Sequence, residues 1–551
     1  MKIRISTLIA ALALTATSAQ AQWTPDDKNF NIIGTDSIYG QGGLKTLLMP
    51  DGKLVLTWTN TPKDVLYKDP SFGYYLYMQV YDKDGRPLLG KDGKVIVGNA
   101  TKSWLTDYSL QPTADGNVLI TYTDTRDDAD KQEGKDYMYC YATDGTPVWS
   151  KDGVEMKAVF DMKQGHTYST LEPMVCTSGS NIYSYTATSD AYKVKADESN
   201  WEPNPWFPDE EMPDSIDVSD GGYQIMRYNA DGTRAWASPV NIATDNAWLY
   251  PAPDGDVYVI YVNAGLGFDA RRINADGKDV WDGPVNVESG SVSGGSFTTE
   301  PTVVADGKGG LMLAYRKLLT YTGYIVANHL TPDGRAYDDE LIVNGTQDGD
   351  GDSPSVAVNG DRAFVAFNYD YVSKQLWINQ LDLNGDYTWE GDNLLGYAYG
   401  TNDLWGFHTV KVIPRQDGWV MLYGDIQDYS SAKFYAAKID FDGNEVWKKQ
   451  IGDDDFKSSG FSVAYDDNNA YIFYTCDKEI GDDWQEITGD GGLRMMCVDI
   501  TGKNTGIESA RTDAMQGRKV YNAQGMSVEG TSAPGLYIVK ESGKTRKIAV
   551  K

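Results

Sequence analysis

Apolar and polar residues alternate in short runs along this chain, and each run closes on a tight turn. One stretch shows the unit. Ser353 to Val358 reads as a first strand (A), Asn359-Gly360 turns the chain, and Arg362 to Tyr369 returns as a second (B). Gln375 to Leu383 follows as strand C, with Leu376, Ile378, Leu381 and Leu383 apolar, then Asn384-Gly385 and a strand D over Tyr387 to Leu395. A period of two puts alternate side chains on opposite faces of a sheet. Asx-Gly tolerates the positive φ of a two-residue hairpin turn.

The unit recurs. Tryptophan lies five positions after the C–D turn in Asp144-Gly145…Trp149, Asp231-Gly232…Trp236, Asp276-Gly277…Trp281, Asn384-Gly385…Trp389 and Asp442-Gly443…Trp447. Weaker copies are Asp84-Gly85…Leu89, Asp333-Gly334…Tyr337 and Thr501-Gly502. The matching A–B turns are Asp51-Gly52, Asp115-Gly116, Ser178-Gly179, Asp254-Gly255, Asp306-Gly307, Asn359-Gly360, Asp417-Gly418 and Asp467-Asn468.

Four antiparallel strands repeated as a unit predict an all-β fold, a β-propeller over residues 46–508. Eight pairs of turns favour eight four-stranded blades, and seven follow if the degenerate first and last units merge. A lone blade cannot bury both faces, so blades stack around an axis, and the tryptophan, read as part of strand D, fills the gap between neighbours. Residues 22–45 form an N-terminal segment, and 509–551 a small C-terminal β-sandwich or hairpin module.

The stretch Tyr228-Asn229-Ala230-Asp231-Gly232-Thr233-Arg234-Ala235-Trp236 resembles the repeats of quinoprotein-like and WD40-like extracellular propellers. The likeness implies the fold and little more. The vicinal Cys-Cys pair of quinoprotein enzymes is missing, and a sialidase Asp box would separate Asp from Gly by one residue. A second resemblance lies at the C-terminus. Val520 to Met526 with Gly525, then Ala533, Pro534, Gly535, Leu536 and Tyr537, and a basic end containing Lys547, are similar to the C-terminal sorting domain of the Bacteroidetes type IX secretion system. That resemblance implies passage through the type IX machinery and a secreted or cell-surface address. A final pair of hairpins packing on the propeller is the structural alternative.

The N-terminus agrees with export. Lys2 and Arg4 precede the apolar run Ile5 to Leu14, and Ala19-Gln20-Ala21 offers a cleavage site, so residues 1–21 read as a signal peptide. No later run is long and apolar enough to span a membrane as a helix. With 79 acidic against 49 basic residues, the formal charge is −30, which argues against nucleic acid as a partner. Cys140, Cys176, Cys476 and Cys497 could form two disulfides or none; Cys476 and Cys497 lie on consecutive strands of one unit and make the easiest pair.

In such units the A–B and C–D turns share one face of the ring, leaving the long B–C and D–A loops on the other, where binding is expected. The long loops are Asn60 to Gly73, Thr123 to Lys135, an irregular excursion from Ala191 to Gly221, and Cys476 to Gly491. Trp104, Trp201, Trp206, Trp405 and Trp484 fall in loops of this face and are candidate platforms for a sugar ring, with loop anchoring as the bland alternative. Asp348, Asp350 and Asp352, in a D–A loop with intervening glycines, could wrap calcium, the one cofactor with a place in the sequence; a solvated acidic turn is the other reading. The three histidines, His166, His329 and His408, are well separated, and neither an HExxH nor a GxSxG motif occurs. These features point to a binding protein for glycan or protein, lacking catalytic residues. The alternative is a carbohydrate-active enzyme, a glycosidase or lyase, working through a carboxylate pair.

Overall fold

The computed structural model describes residues 30–33, 39–61, 74–101, 108–126, 135–197, 199–201, 212–244, 246–290, 300–319, 322–337, 341–342 and 350–370. It further describes 374–389, 397–402, 407–426, 432–451, 461–476, 479–480, 487–488, 492–502, 519–522, 527–528, 535–541 and 544–550. Eight four-stranded antiparallel sheets form the blades of a β-propeller.

Blade 1 runs Tyr39–Leu48, Leu54–Thr61, Tyr74–Tyr81 and Lys94–Thr101. Blade 2 is Leu110–Pro112, Val118–Asp124, Lys135–Tyr141 and Val154–Glu155. Blade 3 is Thr167–Ser178, Asn181–Lys195, Ser215–Tyr228 and Val240–Ile242. Blade 4 comprises Ala247–Pro251, Val257–Val262, Phe268–Ile273 and Val285–Glu288. Blade 5 comprises Thr302–Ala305, Leu311–Leu319, Thr322–Leu330 and Leu341–Ile342. Blade 6 is Asp350–Asn359, Arg362–Asp370, Lys374–Asp382 and Tyr397–Asn402, and blade 7 is Phe407–Arg415, Gly418–Ile426, Ala432–Ile439 and Glu445–Ile451.

Blade 8 closes the ring with a strand from the other end of the chain. Phe461–Tyr465, Asn469–Cys476 and Gly492–Asp499 supply strands A to C, and Phe30–Ile33 pairs with the last of them, Phe30 opposite Met496 and Ile33 opposite Leu493. The first and last strands of the propeller thus share one sheet. Strand A of blade 8 also packs on strand A of blade 1.

Burial follows the blade boundaries. Eight apolar clusters are present, one between each pair of neighbours around the ring. Leu119, Met138 and Cys140 of blade 2 meet Val175, Ile182 and Met226 of blade 3, for example, while Leu56 and Trp58 of blade 1 meet Phe473 and Met495 of blade 8. Each sheet is therefore apolar on both faces, and burial at roughly 25 cal/mol per Å² of apolar area drives blade against blade.

The C–D turns add a repeating contact. Each aromatic lies on the C–D glycine of the next blade: Trp149 on Gly232, Trp236 on Gly277, Trp281 on Gly334, Tyr337 on Gly385, Trp389 on Gly443 and Trp447 on Gly502. Four indoles also donate to the carbonyl just before that next turn, Trp149 to Ala230 at 2.9 Å, Trp236 to Ala275 at 2.7 Å, Trp281 to Pro332 at 3.2 Å and Trp389 to Phe441 at 2.9 Å. Gly334 shows why glycine stands there: its φ is +83°, and a Cβ would come within 2.9 Å of Trp281.

Several expectations shift. Of the tryptophans, only Trp447 sits inside a strand D; the others precede it, because a single bridge after the turn is followed by a few unpaired residues before the ladder resumes. Strand D of blade 6 accordingly starts at Tyr397 rather than Tyr387. Strand A of that blade starts at Asp350, so Asp350 and Asp352 are strand residues opposite Asp370 and Asn368. Cys140, Cys176 and Cys497 are free and buried, which rules out a Cys476–Cys497 bridge and pushes all three thiols up to about 12. At the C-terminus, Lys519–Asn522, Ser527–Val528, Gly535–Glu541 and Lys544–Val550 form a single sheet.

Candidate functional site

Blade 3 departs from its neighbours. Its strands B and C, 15 and 14 residues long, continue as a paired ribbon to Lys195 opposite Ser215. The expected irregular excursion from Ala191 is therefore regular strand as far as Lys195, and again from Ser215. Among the described residues beyond Lys195, the half-buried Trp201 lies outside strand structure, and its amide donates to Asp197 O at 3.1 Å.

Register decides what the ribbon carries. Tyr168, Asp190 and Asp220 lie directly opposite one another across strands A, B and C, with Tyr192 opposite Val218 in the next row. Residues opposite in an antiparallel pair share a face, and here it is the side toward blade 2, since Ile182, Met226 and Tyr228 of the same alternation enter the core between blades 2 and 3. The segment leading into strand A adds Phe160, Lys163 and His166.

Four rings form a line. Phe160 and Tyr168 have centroids 4.7 Å apart, Tyr168 and His166 6.2 Å, and His166 and Tyr192 4.5 Å, the last two pairs stacked within 26°. All four are half-buried. The line is pinned by polar contacts: His166 Nδ1 lies 2.6 Å from Asp190 Oδ1, Lys163 Nζ 3.7 Å from Asp190 Oδ2, and the Tyr168 hydroxyl donates to Asp161 O at 3.0 Å. The Asp220 carboxylate accepts from the Tyr192 hydroxyl and so raises the phenol's pKa.

At the foot of the ribbon, between blades 2 and 3, lies Asp136, 2% exposed. Its Oδ1 accepts from Thr123 at 2.8 Å, while Oδ2 is buried without a hydrogen bond of sound geometry. Burial pushes its pKa up to about 6; the Thr123 and Thr170 hydroxyls oppose that rise, and the Glu172 carboxylate adds to it.

A third group sits on the innermost strands. Glu172, in a bulge of strand A of blade 3 with φ 57°, accepts from the Tyr223 hydroxyl at 2.8 Å. Glu300 precedes strand A of blade 5. Burial raises its pKa and Lys45 of blade 1 opposes that, while its charge helps raise the phenols of Tyr185 and Tyr250. Both carboxylates still reach solvent, Glu172 beside Tyr223 and Glu300 close enough to act on Tyr185 and Tyr250 though protein crowds it on its other sides.

Among the described residues, no tryptophan singled out in the sequence joins the ring line. Trp201 lies near the ribbon tip, and Trp104, Trp206, Trp405 and Trp484 fall outside the described residues. Asp348 also falls outside them, as do Gly525 and Pro534, whereas Gly535, Leu536, Tyr537 and Lys547 lie on the last two strands of the C-terminal sheet. No cluster of three or more metal-ligating residues occurs among the described residues. Of the ring line, only His166 stood out in the sequence, as one of three well-separated histidines. The alternation Thr188, Asp190, Tyr192, Val194 was a readable signal for the rest.

The turn face carries a cavity of about 720 Å³ beside blades 5 and 6. Its basic side chains are paired, Lys308 with Asp361, Arg335 with Asp333 and His329 with Asp306. It has the chemistry of a blade joint. Among the described residues, no helix is long and apolar enough to cross a membrane.

No protein-family profile and no curated protein matches the sequence. Solved structures similar in fold include a protein of unknown function from Dyadobacter fermentans, 9% identical over 85% of this chain and 97% of that one, TM-score 0.37. Polysaccharide lyase Uly1 is 8% identical over 87% and 94%, TM-score 0.38, and the microbial sialidase Hz136 13% identical over 78% and 74%, TM-score 0.32.

Proposed function

We propose that this chain is a secreted or surface-displayed propeller that binds a glycan on its loop face without cleaving it. The observation that carries this reading is the line of rings from Phe160 to Tyr192, held on a paired ribbon with Asp190, Asp220 and Lys163 beside it. Sugars present apolar C–H surface with a rim of hydroxyls, and half-exposed rings edged by carboxylates match both. A strand scaffold also positions them with less entropy left to lose than a loop would.

The test is a glycan array followed by calorimetry on hits. Tyr192→Ala is expected to weaken binding at least tenfold with no sugar released by the parent protein; array binding that is indifferent to Tyr192→Ala removes the platform.

A second reading is favoured by one observation, two carboxyls at innermost strands, Glu172 in strand A of blade 3 and Glu300, raised by burial, just before strand A of blade 5. Glycoside hydrolysis uses two carboxyls in separate roles. Reducing ends released from a polysaccharide by the wild type and lost in Glu300→Gln would establish it. Export rests on the N-terminal apolar run and the C-terminal resemblance; deleting residues 516–551 should trap the protein in the periplasm, and unchanged export refutes that part.

A further inference from the structure

Among the described residues, Lys411 has no ionic partner. It lies in strand A of blade 7, directly after a bulge that follows Thr409, and pairs with Leu422. Val412 enters the core between blades 6 and 7, and Ile413 that between blades 7 and 8. Lys411, two residues from Ile413, therefore lies on the blade 8 side of an innermost strand, one step nearer the loop face. It is half-buried, and no ion pair, hydrogen bond or ring contact reaches it among the described residues. Burial alone lowers its pKa, and no carboxylate opposes that.

Other lysines in similar surroundings are satisfied. Lys317, 6% exposed, meets Glu288 Oε1 at 2.9 Å. Lys45, on strand A of blade 1 opposite Thr57, has its ammonium 5.1 Å from the Tyr108 ring centroid and feels Glu300. A half-buried ammonium that no described carboxylate neutralises costs stability without a visible structural return. Such a conflict between local chemistry and fold marks a position kept for another purpose.

We propose that Lys411 binds the anionic group, carboxylate or sulfate, of an acidic sugar that enters the axis from the loop face. On the strands beyond it, Ser462 of blade 8 and Thr46 of blade 1 share a hydrogen bond at 2.9 Å. Phe461 and Val463 face blade 7 on that strand, so the Ser462–Thr46 pair lies in the next gap and Lys411 alone supplies the anion's counter-charge. The charge of −30 repels small anions at long range, yet that field is screened beyond about 8 Å at physiological salt. The site therefore selects an anion that arrives tethered to a ligand held elsewhere, and this inference rests on the glycan-binding reading.

Calorimetry on the full chain with oligogalacturonate, its methyl ester and a sulfated galactan oligosaccharide separates the possibilities. At least one of the two acidic oligosaccharides should bind ten times or more tightly than the uncharged ester, and which one does so assigns carboxylate or sulfate. Lys411→Met should erase that preference while raising Tm, and Lys411→Arg should keep it. Equal binding of acids and ester by the wild type, or a preference that survives Lys411→Met, overturns the proposal. Equal binding that Tyr192→Ala abolishes leaves the glycan reading standing. No binding of any of the three sinks both. A fall in Tm in Lys411→Met with Lys411→Arg equally destabilised would make the lysine a packing residue and also end the proposal.

Discussion

The turn face and the loop face are made by the same blades, yet they are organised in opposite ways. On the turn face one contact repeats: an aromatic ring on the next blade's glycine, with an indole N–H on the carbonyl beside it. On the loop face, blade 3 carries a ribbon that runs on to Lys195 and Ser215, whereas blade 4 crosses between Val262 and Phe268 in a tight turn. Repetition belongs where every blade must solve the same packing problem. Departure from it, as at the ring line and at Lys411, falls where binding is proposed.

If that division is right, substitutions on the two faces separate stability from binding. The largest expected effect is on the turn side. Trp389 is 6% exposed and packed between blades 6 and 7; Trp389→Ala should cost about 3–5 kcal/mol in denaturant unfolding. A cost below about 1 kcal/mol would show that the stack is incidental.

Asp136, under the ribbon, should act in the other direction. Its folded pKa of about 6 lies above the ordinary carboxylate value of 3.8, so its ionised form weakens the fold. The penalty is absent below about pH 4 and complete above about pH 6, and Asp136→Asn should stabilise by up to about 3 kcal/mol at pH 7 and by nothing near pH 4. Melting curves of both proteins across pH check this; a constant offset would mean that the carboxylate does not titrate in that window.

The two turn types allow a finer comparison. Gly334 has φ +83° and an indole 2.9 Å from its absent Cβ, whereas Gly116 has φ +77° and nothing within 4 Å. Gly116→Ala should cost about 1 kcal/mol from backbone strain alone. Gly334→Ala should cost roughly 2–3 kcal/mol, because the ring must also move. Equal losses by chemical denaturation would reduce the glycine–indole contact to turn geometry.

The smallest stability effect is expected at the ring line. Tyr192 is half-buried near the end of the ribbon, so Tyr192→Ala should change stability by about 1 kcal/mol or less while abolishing glycan binding. Lost stability with retained binding would reverse the assignment of the two faces.

Alternation and Asx-Gly turns sufficed to read the architecture. All eight A–B turns fall where the spacing put them, from Asp51-Gly52 to Asp467-Asn468, because strand period and turn chemistry are local properties. Strand D was less legible: the residues around Trp149, Trp236 and Trp281 pair only through a bridge before the strand begins. Their place is set by the neighbouring blade. The ring line was harder still, since its members come from the lead-in to strand A and from strand B.

The sequence by itself determined the repeating unit, its turns and the two faces on which turns and loops would fall, since each depends on residues a few positions apart. Only the tertiary structure decided that Phe30–Ile33 completes blade 8, that each tryptophan rests on the glycine of a different repeat, and that His166, Asp190 and Tyr192 meet. These are contacts between segments distant in the chain or between strands whose register must first be set. A one-residue slip would turn Asp190 and Tyr192 to the opposite side of the ribbon.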